Sequence, residues 1–207
     1  MPALRGLYAI TPDALCADPQ RLEAAVAAAL RGGARLVQYR DKLSDAAGRL
    51  QRARRLATLC RAHGVPLVVN DDPLLAAESG AGGVHLGLAD ATVAAARARL
   101  GTGAIVGVTC GNVLARALAA QDAGASYVSF GRFFESRTKP QAPPAEPKVL
   151  REAVQSLHLP LCAIGGITPE RAPALIAAGA SLIAAAGGVF DVPDVETAAR
   201  HYASLFS

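Results

Sequence analysis

Short apolar runs recur along the whole chain, and a polar or glycine element closes almost every one. Leu7-Tyr8-Ala9-Ile10 ends at Thr11, Leu36-Val37 runs into Gln38-Tyr39-Arg40-Asp41-Lys42, and Pro66-Leu67-Val68-Val69 ends at Asn70-Asp71-Asp72. Val84-His85-Leu86-Gly87 leads to Asp90, and Ile105-Val106-Gly107-Val108 ends at Thr109. Tyr127-Val128-Ser129-Phe130-Gly131 leads to Ser136-Arg137-Thr138-Lys139. Leu161-Cys162-Ala163-Ile164 ends at Gly165-Gly166, and Leu182-Ile183-Ala184-Ala185-Ala186 ends at Gly187-Gly188. A helix-like segment follows each run. Apolar strands alternating with helices belong to a parallel sheet buried on both faces. The pattern therefore predicts an α/β protein, a single (β/α)8 TIM barrel spanning residues 1–207 as one domain, with every polar strand end gathered on one rim. That C-terminal rim is where such barrels place their active sites.

The connecting segments carry helix signals. Asp18 is a predicted N-cap with Pro19 at the first helical position, Leu22, Val26 and Leu30 share one face, and Gly32-Gly33 supplies the stop. A second helix is expected from Ser44 to His63, with Leu50, Leu56 and Leu59 among exposed arginines and Gly64 as its end. Thr168-Pro169-Glu170 repeats the cap-plus-proline start, with Pro173 distorting the first turn. Ala123-Gly124-Ala125-Ser126-Tyr127-Val128 and Ala178-Gly179-Ala180-Ser181-Leu182-Ile183 share one pattern of helix stop, tight turn and strand start.

Composition narrows the function class. Hydrophobic residues make up 52% of the 207, enough for a large core, yet aromatics are 4% and Trp is absent, so aliphatic residues fill it. The net charge of +4 suits anionic small molecules, but there is no basic stripe with aromatic interleaving, which argues against nucleic acid. No run is long enough to span a bilayer, the N-terminus lacks a signal pattern, and the four cysteines are widely spaced. A cytoplasmic protein with reduced, packed thiols is expected. Its expected partners are small molecules, with no nucleic acid and no membrane; a homodimer is compatible with the sequence without being indicated by it.

The strand ends then carry the chemistry. Gly165-Gly166 and Gly187-Gly188 close the last two runs, where backbone N–H groups can approach a phosphate; each also reads as a tight turn. Arg40 and Lys42, at i and i+2 in extended chain, face the same way into the mouth or else form a solvated loop. Asp71 and Asp90 read either as N-caps or as ligands of a hard cation such as Mg²⁺, which takes one or two carboxylates and substrate phosphates. His85 reads as a core histidine with a satisfied ring. Ser136, Thr138 and Lys139 offer hydroxyls and a cation near the sixth strand. No Ser-His-Asp or Cys-His arrangement is visible, so a reaction in which diphosphate leaves, driven by positioning and charge stabilisation, fits this set.

These motifs, in this order, resemble the thiamine-phosphate synthase family. The resemblance rests on Leu7-Tyr8-Ala9-Ile10-Thr11, Gln38 to Lys42, Asn70-Asp71-Asp72, Gly83-Val84-His85-Leu86-Gly87, Phe130 to Phe134 with Ser136 to Lys139, and Ala163-Ile164-Gly165-Gly166-Ile167-Thr168. It implies a transferase that joins a hydroxymethylpyrimidine diphosphate to a thiazole phosphate with Mg²⁺ as cofactor. It implies that Gln38, Arg40, Lys42, Asn70, Thr109 and Lys139 contact the pyrimidine diphosphate, with Arg40, Lys42 and Lys139 catalytic. Tyr39, Asp41 and Arg137 are expected among the binding residues of these motifs. Asp71 and Asp90 would hold the metal. Ser136, Thr138 and Gly166 would contact the thiazole phosphate, with Gly187 beside them. Three departures stand out: the family usually has Gln where Leu88 stands, often His where Gly111 stands, and more commonly Ser where Thr109 stands, which keeps the hydroxyl. Rival readings are a thiazole tautomerase of the same superfamily and a non-catalytic barrel that binds thiamine phosphates. The proline-rich stretch from Lys139 to Pro147 is expected to close over the mouth as a lid.

Overall fold

The computed structural model describes residues 4–135 and 143–206. Eight parallel strands close into a barrel in sequence order. They are β1 (Gly6–Ile10), β2 (Ala34–Tyr39), β3 (Leu67–Asn70), β4 (Gly83–Leu86), β5 (Ile105–Gly111), β6 (Tyr127–Phe130), β7 (Leu161–Ile164) and β8 (Leu182–Ala185), with β1 pairing β8 to complete the ring. The helices between them are α1 (Asp13–Cys16), α2 (Pro19–Arg31), α3 (Ala46–Ala62), α4 (Pro73–Ser79), α5 (Val93–Leu100), α6 (Leu114–Asp122), α7 (Pro147–Ser156), α8 (Ala172–Ala177), α9 (Gly187–Phe190) and α10 (Val195–Ala203). No helix among the described residues is long and apolar enough to cross a membrane.

The strand period of two splits the core into two layers. Leu7, Ala9, Val37, Tyr39, Val69, Val84, Val106 and Val128 point outward and pack against the helices. Tyr8, Ile10, Leu36, Val68, Ile105, Tyr127, Cys162, Leu182 and Ala184 fill the barrel interior. One step further along each strand the interior turns polar: Gln38, His85 and Ser129 are buried there. All four cysteines are free and buried, and Cys60 is pushed by burial up to about 12, so it packs as a small apolar group.

The helix signals hold with shifts at their ends. Asp18 caps α2 by accepting from the N–H groups of Gln20 and Arg21 at 3.0 and 3.1 Å, a contribution of about 1 kcal/mol. α3 starts at Ala46 because Asp45 takes the cap, accepting from Gly48 N–H at 2.8 Å. Its arginines are not all exposed: the Arg52 side chain folds back to within 3.8 Å of buried Asp41. The helix expected from Thr168 begins only at Ala172, since Pro173 fits the first turn and not the interior. The two repeated turns share one geometry, with Gly124 and Gly179 at φ +88° and +115°, followed by N–H bonds from Ala125 to Ala120 and from Ala180 to Leu175.

Candidate active site

The C-terminal rim is built strand by strand. After β1, Thr11 stitches the first two strand ends: its hydroxyl accepts from Arg40 N–H at 2.9 Å and donates to Arg40 carbonyl at 3.1 Å. Asp13 then fixes both cations that follow β2. One carboxylate oxygen pairs with the Arg40 guanidinium, and the other accepts from Lys42 N–H at 2.9 Å. The Arg40 side chain is only 12% exposed, and its Nε is buried without a hydrogen-bond partner. A buried cation with an unused donor is poised for a further anion. Sequence reasoning missed Thr11 and Asp13 as positioning residues. Their signal was present as a polar element closing the first run, but nothing in the sequence places it beside the second strand.

β2 ends at Tyr39, so Arg40 and Lys42 do not share an extended strand. They reach the rim because the chain bends around Asp41. Tyr39 and Asp41, expected among the binding residues, are turned away from the mouth. The Tyr39 ring lies in the outer core layer, and its hydroxyl donates to Asp41 Oδ2 at 2.8 Å. Asp41 also accepts from the N–H groups of Leu43 and Ser44 at 3.1 and 3.0 Å. Burial alone raises a carboxyl, but these bonds outweigh it and hold Asp41 below its ordinary value. The pair is a brace that shapes the turn.

After β3, Asp71 takes a φ of +66°, and the N–H of Asp72 bonds back to Asn70 carbonyl at 2.9 Å. It is the one non-glycine residue with positive φ among those described. Such a turn is strained, and its effect is to carry the Asp71 carboxylate over the mouth. Lys42 Nζ lies 3.2 Å from Asp71 Oδ2. The helix cap falls to Asp72, which accepts from Leu75 N–H at 2.9 Å. After β4, Asp90 leaves the cap of α5 to Thr92 and folds back to accept from Gly87 N–H at 2.6 Å. The Asp71 and Asp90 carboxylates meet beside Gly87. Partial burial and then the neighbouring Asp71 push Asp90 above its ordinary value, with Lys42 and the Gly87 amide opposing. Neither aspartate is a helix cap. Leu88 is 62% exposed, so Asp90 takes its support from the Gly87 backbone and needs none from that side chain.

Below this cluster, Gln38, Asn70, His85 and Thr109 come from four adjacent strands. Both His85 nitrogens are bonded, Nδ1 to Tyr127 hydroxyl at 2.8 Å and Nε2 to Thr109 hydroxyl at 2.9 Å, as expected for a satisfied core histidine. Gly111 sits at φ +63° in a bulge of β5.

The other half of the rim is glycine-built. Gly165 and Gly166 follow β7 at φ +105° and +60°. The segment after β6 lies directly on them, with Phe133 N–H bonded to Ile164 carbonyl at 3.1 Å and Phe134 N–H to Gly165 carbonyl at 2.9 Å. Gly187 and Gly188 open the single-turn helix α9, so their N–H groups belong to a helix start without intrahelical partners. Ser136, Arg137, Thr138 and Lys139 lie outside the described residues. So does the first part of the expected lid; its later part is docked, with Ala145 buried and its N–H bonded to Arg132 carbonyl at 2.8 Å.

A cavity of about 950 Å³ opens at the opposite end of the barrel, lined by Arg5, Arg35, Arg61 and Phe206. It sits at the strand N-termini, away from the carboxylates and glycine turns, and conserved chemistry is not placed at that face of such barrels.

A closed parallel barrel whose C-terminal rim pairs a carboxylate and lysine cluster with two glycine turns defines the class: a TIM-barrel enzyme. The comparisons give the family. The family model described as thiamine monophosphate synthase matches residues 7–189. A thiamine-phosphate synthase of Thioalkalivibrio sulfidiphilus is 52% identical over 98% of this chain and 96% of its own length. One from Methylococcus capsulatus is 54% identical over 98% of this chain and 89% of its own. The solved structure of a thiamine phosphate pyrophosphorylase from Pyrococcus furiosus superposes with a TM-score of 0.87 at 28% identity, covering 98% of this chain and 96% of that one. The chain belongs to the thiamine monophosphate synthase family.

Proposed function

We propose that this protein condenses a hydroxymethylpyrimidine diphosphate with a thiazole phosphate, forming thiamine phosphate and releasing diphosphate. The observation that carries this reading is the meeting of Lys42, Asp71 and Asp90 at the mouth of a chain that matches thiamine-phosphate synthases along nearly its whole length. The diphosphate belongs over β2 to β5, where Arg40 and Lys42 supply charge and Gln38, Asn70 and Thr109 supply hydrogen bonds. The thiazole phosphate belongs over the Gly166 and Gly187 turns with Ser136 and Thr138 as its hydroxyl ligands, while Lys139 belongs to the diphosphate.

The donor set fits a hard divalent cation. Two carboxylates meeting at one point, one of them raised by partial burial and then by the other, are stabilised by a cation between them, and oxygen-only ligands favour Mg²⁺. Asp71 and Asp90 would hold it, and when bound it would neutralise the charge that develops on the departing diphosphate. The residues themselves do the rest. Asp13 holds Arg40 and the Lys42 backbone in place, so the cations need little reorganisation as charge moves onto the leaving group. The aminopyrimidine ring delocalises the positive charge left on its methylene carbon, and the thiazole nitrogen attacks that carbon. No strong protein base is required, in keeping with a His85 whose two nitrogens are already bonded.

Incubating the purified protein with both substrates and Mg²⁺ and measuring diphosphate release tests the reading; release no faster than without protein would overturn it. The two halves of the mouth separate in a second assay. Arg40→Ala is expected to raise the KM for the pyrimidine diphosphate or lower its kcat/KM about tenfold or more, the worth of one charged hydrogen bond. Ser136→Ala is expected to act mainly on the KM of the thiazole phosphate. The opposite split would exchange the two sites.

A further inference from the structure

Four residues link into one hydrogen-bond chain through the barrel interior and end on Thr109. The Gln38 amide Nε2 donates to the Tyr8 hydroxyl at 2.5 Å, and the Tyr8 and Tyr127 hydroxyls lie 2.7 Å apart. Tyr127 is 2.8 Å from His85 Nδ1, and His85 Nε2 is 2.9 Å from Thr109 Oγ1. Tyr8 and Tyr127 carry no site signal in the sequence, and His85 reads there only as a core histidine with a satisfied ring. We propose that this chain runs one way only, fixes His85 as its Nε2–H tautomer, and thereby turns the Thr109 hydroxyl proton toward the mouth as a dedicated donor to a substrate oxygen.

Each step follows from the donor inventory. An amide nitrogen only donates, so the Tyr8 oxygen accepts at Gln38 and must send its own proton elsewhere. Tyr8 and Tyr127 are 1% and 0% exposed, so no solvent is on hand, and Tyr127 is the remaining acceptor. Tyr127 then donates onward to His85 Nδ1. A neutral imidazole that accepts at Nδ1 carries its proton on Nε2 and donates it to Thr109 Oγ1. With that oxygen accepting from His85, the Thr109 proton is left for the half-buried mouth side. Reversal would make Thr109 donate inward and present only lone pairs to an anion. Burial pushes both phenols well above their ordinary values, which keeps them as O–H donors at working pH. β5 is shaped to seat the chain, since a Cβ at Gly107 would collide with the Tyr127 ring. Tyr8, Tyr127 and His85 are positioning residues, acting through Thr109.

The role of Thr109 rests on the proposed function, but the tautomer does not. Long-range ¹H–¹⁵N spectra of the ligand-free labelled protein read it directly. The other three histidines, His63, His158 and His201, are exposed, and His85 is assigned by its loss in His85→Gln. The expected result is a protonated Nε2 and a bare Nδ1. An Nδ1–H ring or an imidazolium in the wild-type protein would overturn the proposal with no variant needed. Tyr127→Phe removes the donor to Nδ1; the ring is expected to shift toward Nδ1–H, and kcat/KM for the pyrimidine diphosphate to fall roughly tenfold, with the thiazole phosphate KM held within about twofold. An unchanged tautomer in that variant would overturn it too. His85→Gln, which puts an amide N–H near the Nε2 position, is expected to keep about fivefold more turnover than His85→Leu; equal losses would show that His85 only fills space. A correct tautomer in a protein that releases no diphosphate would count against the proposed function alone.

Discussion

Asp71→Asn and Asp90→Asn are each expected to cut diphosphate release on the order of 10²-fold or more while leaving the barrel intact, because each removes one anionic ligand of the cation that would neutralise the leaving group. The same variants carry a second signature. Asp90 is raised above its ordinary carboxyl value by partial burial and by Asp71, so in the folded state it holds its proton to higher pH than in the unfolded chain. Between those two values the native state binds more protons than the unfolded state, and stability falls as pH rises. The cost is absent below the unfolded value and grows as pH rises through the folded one. Asp90→Asn is therefore expected to raise the melting temperature of the metal-free protein at pH 7 by about 1–3 °C, given the small worth of exposed charge pairs, and to confer nothing at pH 3. Added Mg²⁺ is expected to stabilise the wild-type protein and not the variant. Wild-type turnover in both variants, or equal activity with a chelator, would sink the metal assignment.

The strand order and the rim were legible because period-two apolar runs and their polar stops are local signals. Asp18 likewise showed as a cap, since capping is decided within four residues. What stayed hidden is what depends on direction. Tyr39 and Asp41 sit among Gln38, Arg40 and Lys42 in sequence, yet they point to the helix layer, because successive strand residues alternate faces and the chain bends at Asp41. Asp71 and Asp90 could not be told from caps until the positive φ of Asp71 and the Gly87 bond of Asp90 brought them together. Asp13 and Tyr127 carried no motif at all, and Tyr8 stood inside one with no role attached to it. Their roles arise from contacts across strands that are remote in sequence, such as the Tyr8–Tyr127 pair.

Gly166→Ala is expected to raise the KM for the thiazole phosphate about tenfold or more, with little change for the pyrimidine diphosphate. Two effects combine at this position. Gly166 holds φ +60°, where a side chain costs roughly 1–2 kcal/mol. Its added Cβ would also collide with the Glu135 carbonyl oxygen, so backbone must move and not a flexible side chain. That backbone leads from β6 and is tied to the β7 turn by the Phe133 and Phe134 N–H groups, while Arg171 donates to Gly166 carbonyl at 3.2 Å and lies over the Phe134 ring. A shift at Gly166 therefore displaces both walls proposed to hold the thiazole phosphate. Gly64 supplies the control: it has φ +66°, but a Cβ there meets nothing within 4 Å, and it lies at the far end of the barrel. Gly64→Ala is expected to lose only the left-handed penalty, a few degrees of melting temperature, and to keep both KM values. If the two variants lost stability equally and neither changed a KM, the Gly166 turn would be a structural stop and the thiazole phosphate would have to bind elsewhere on the rim.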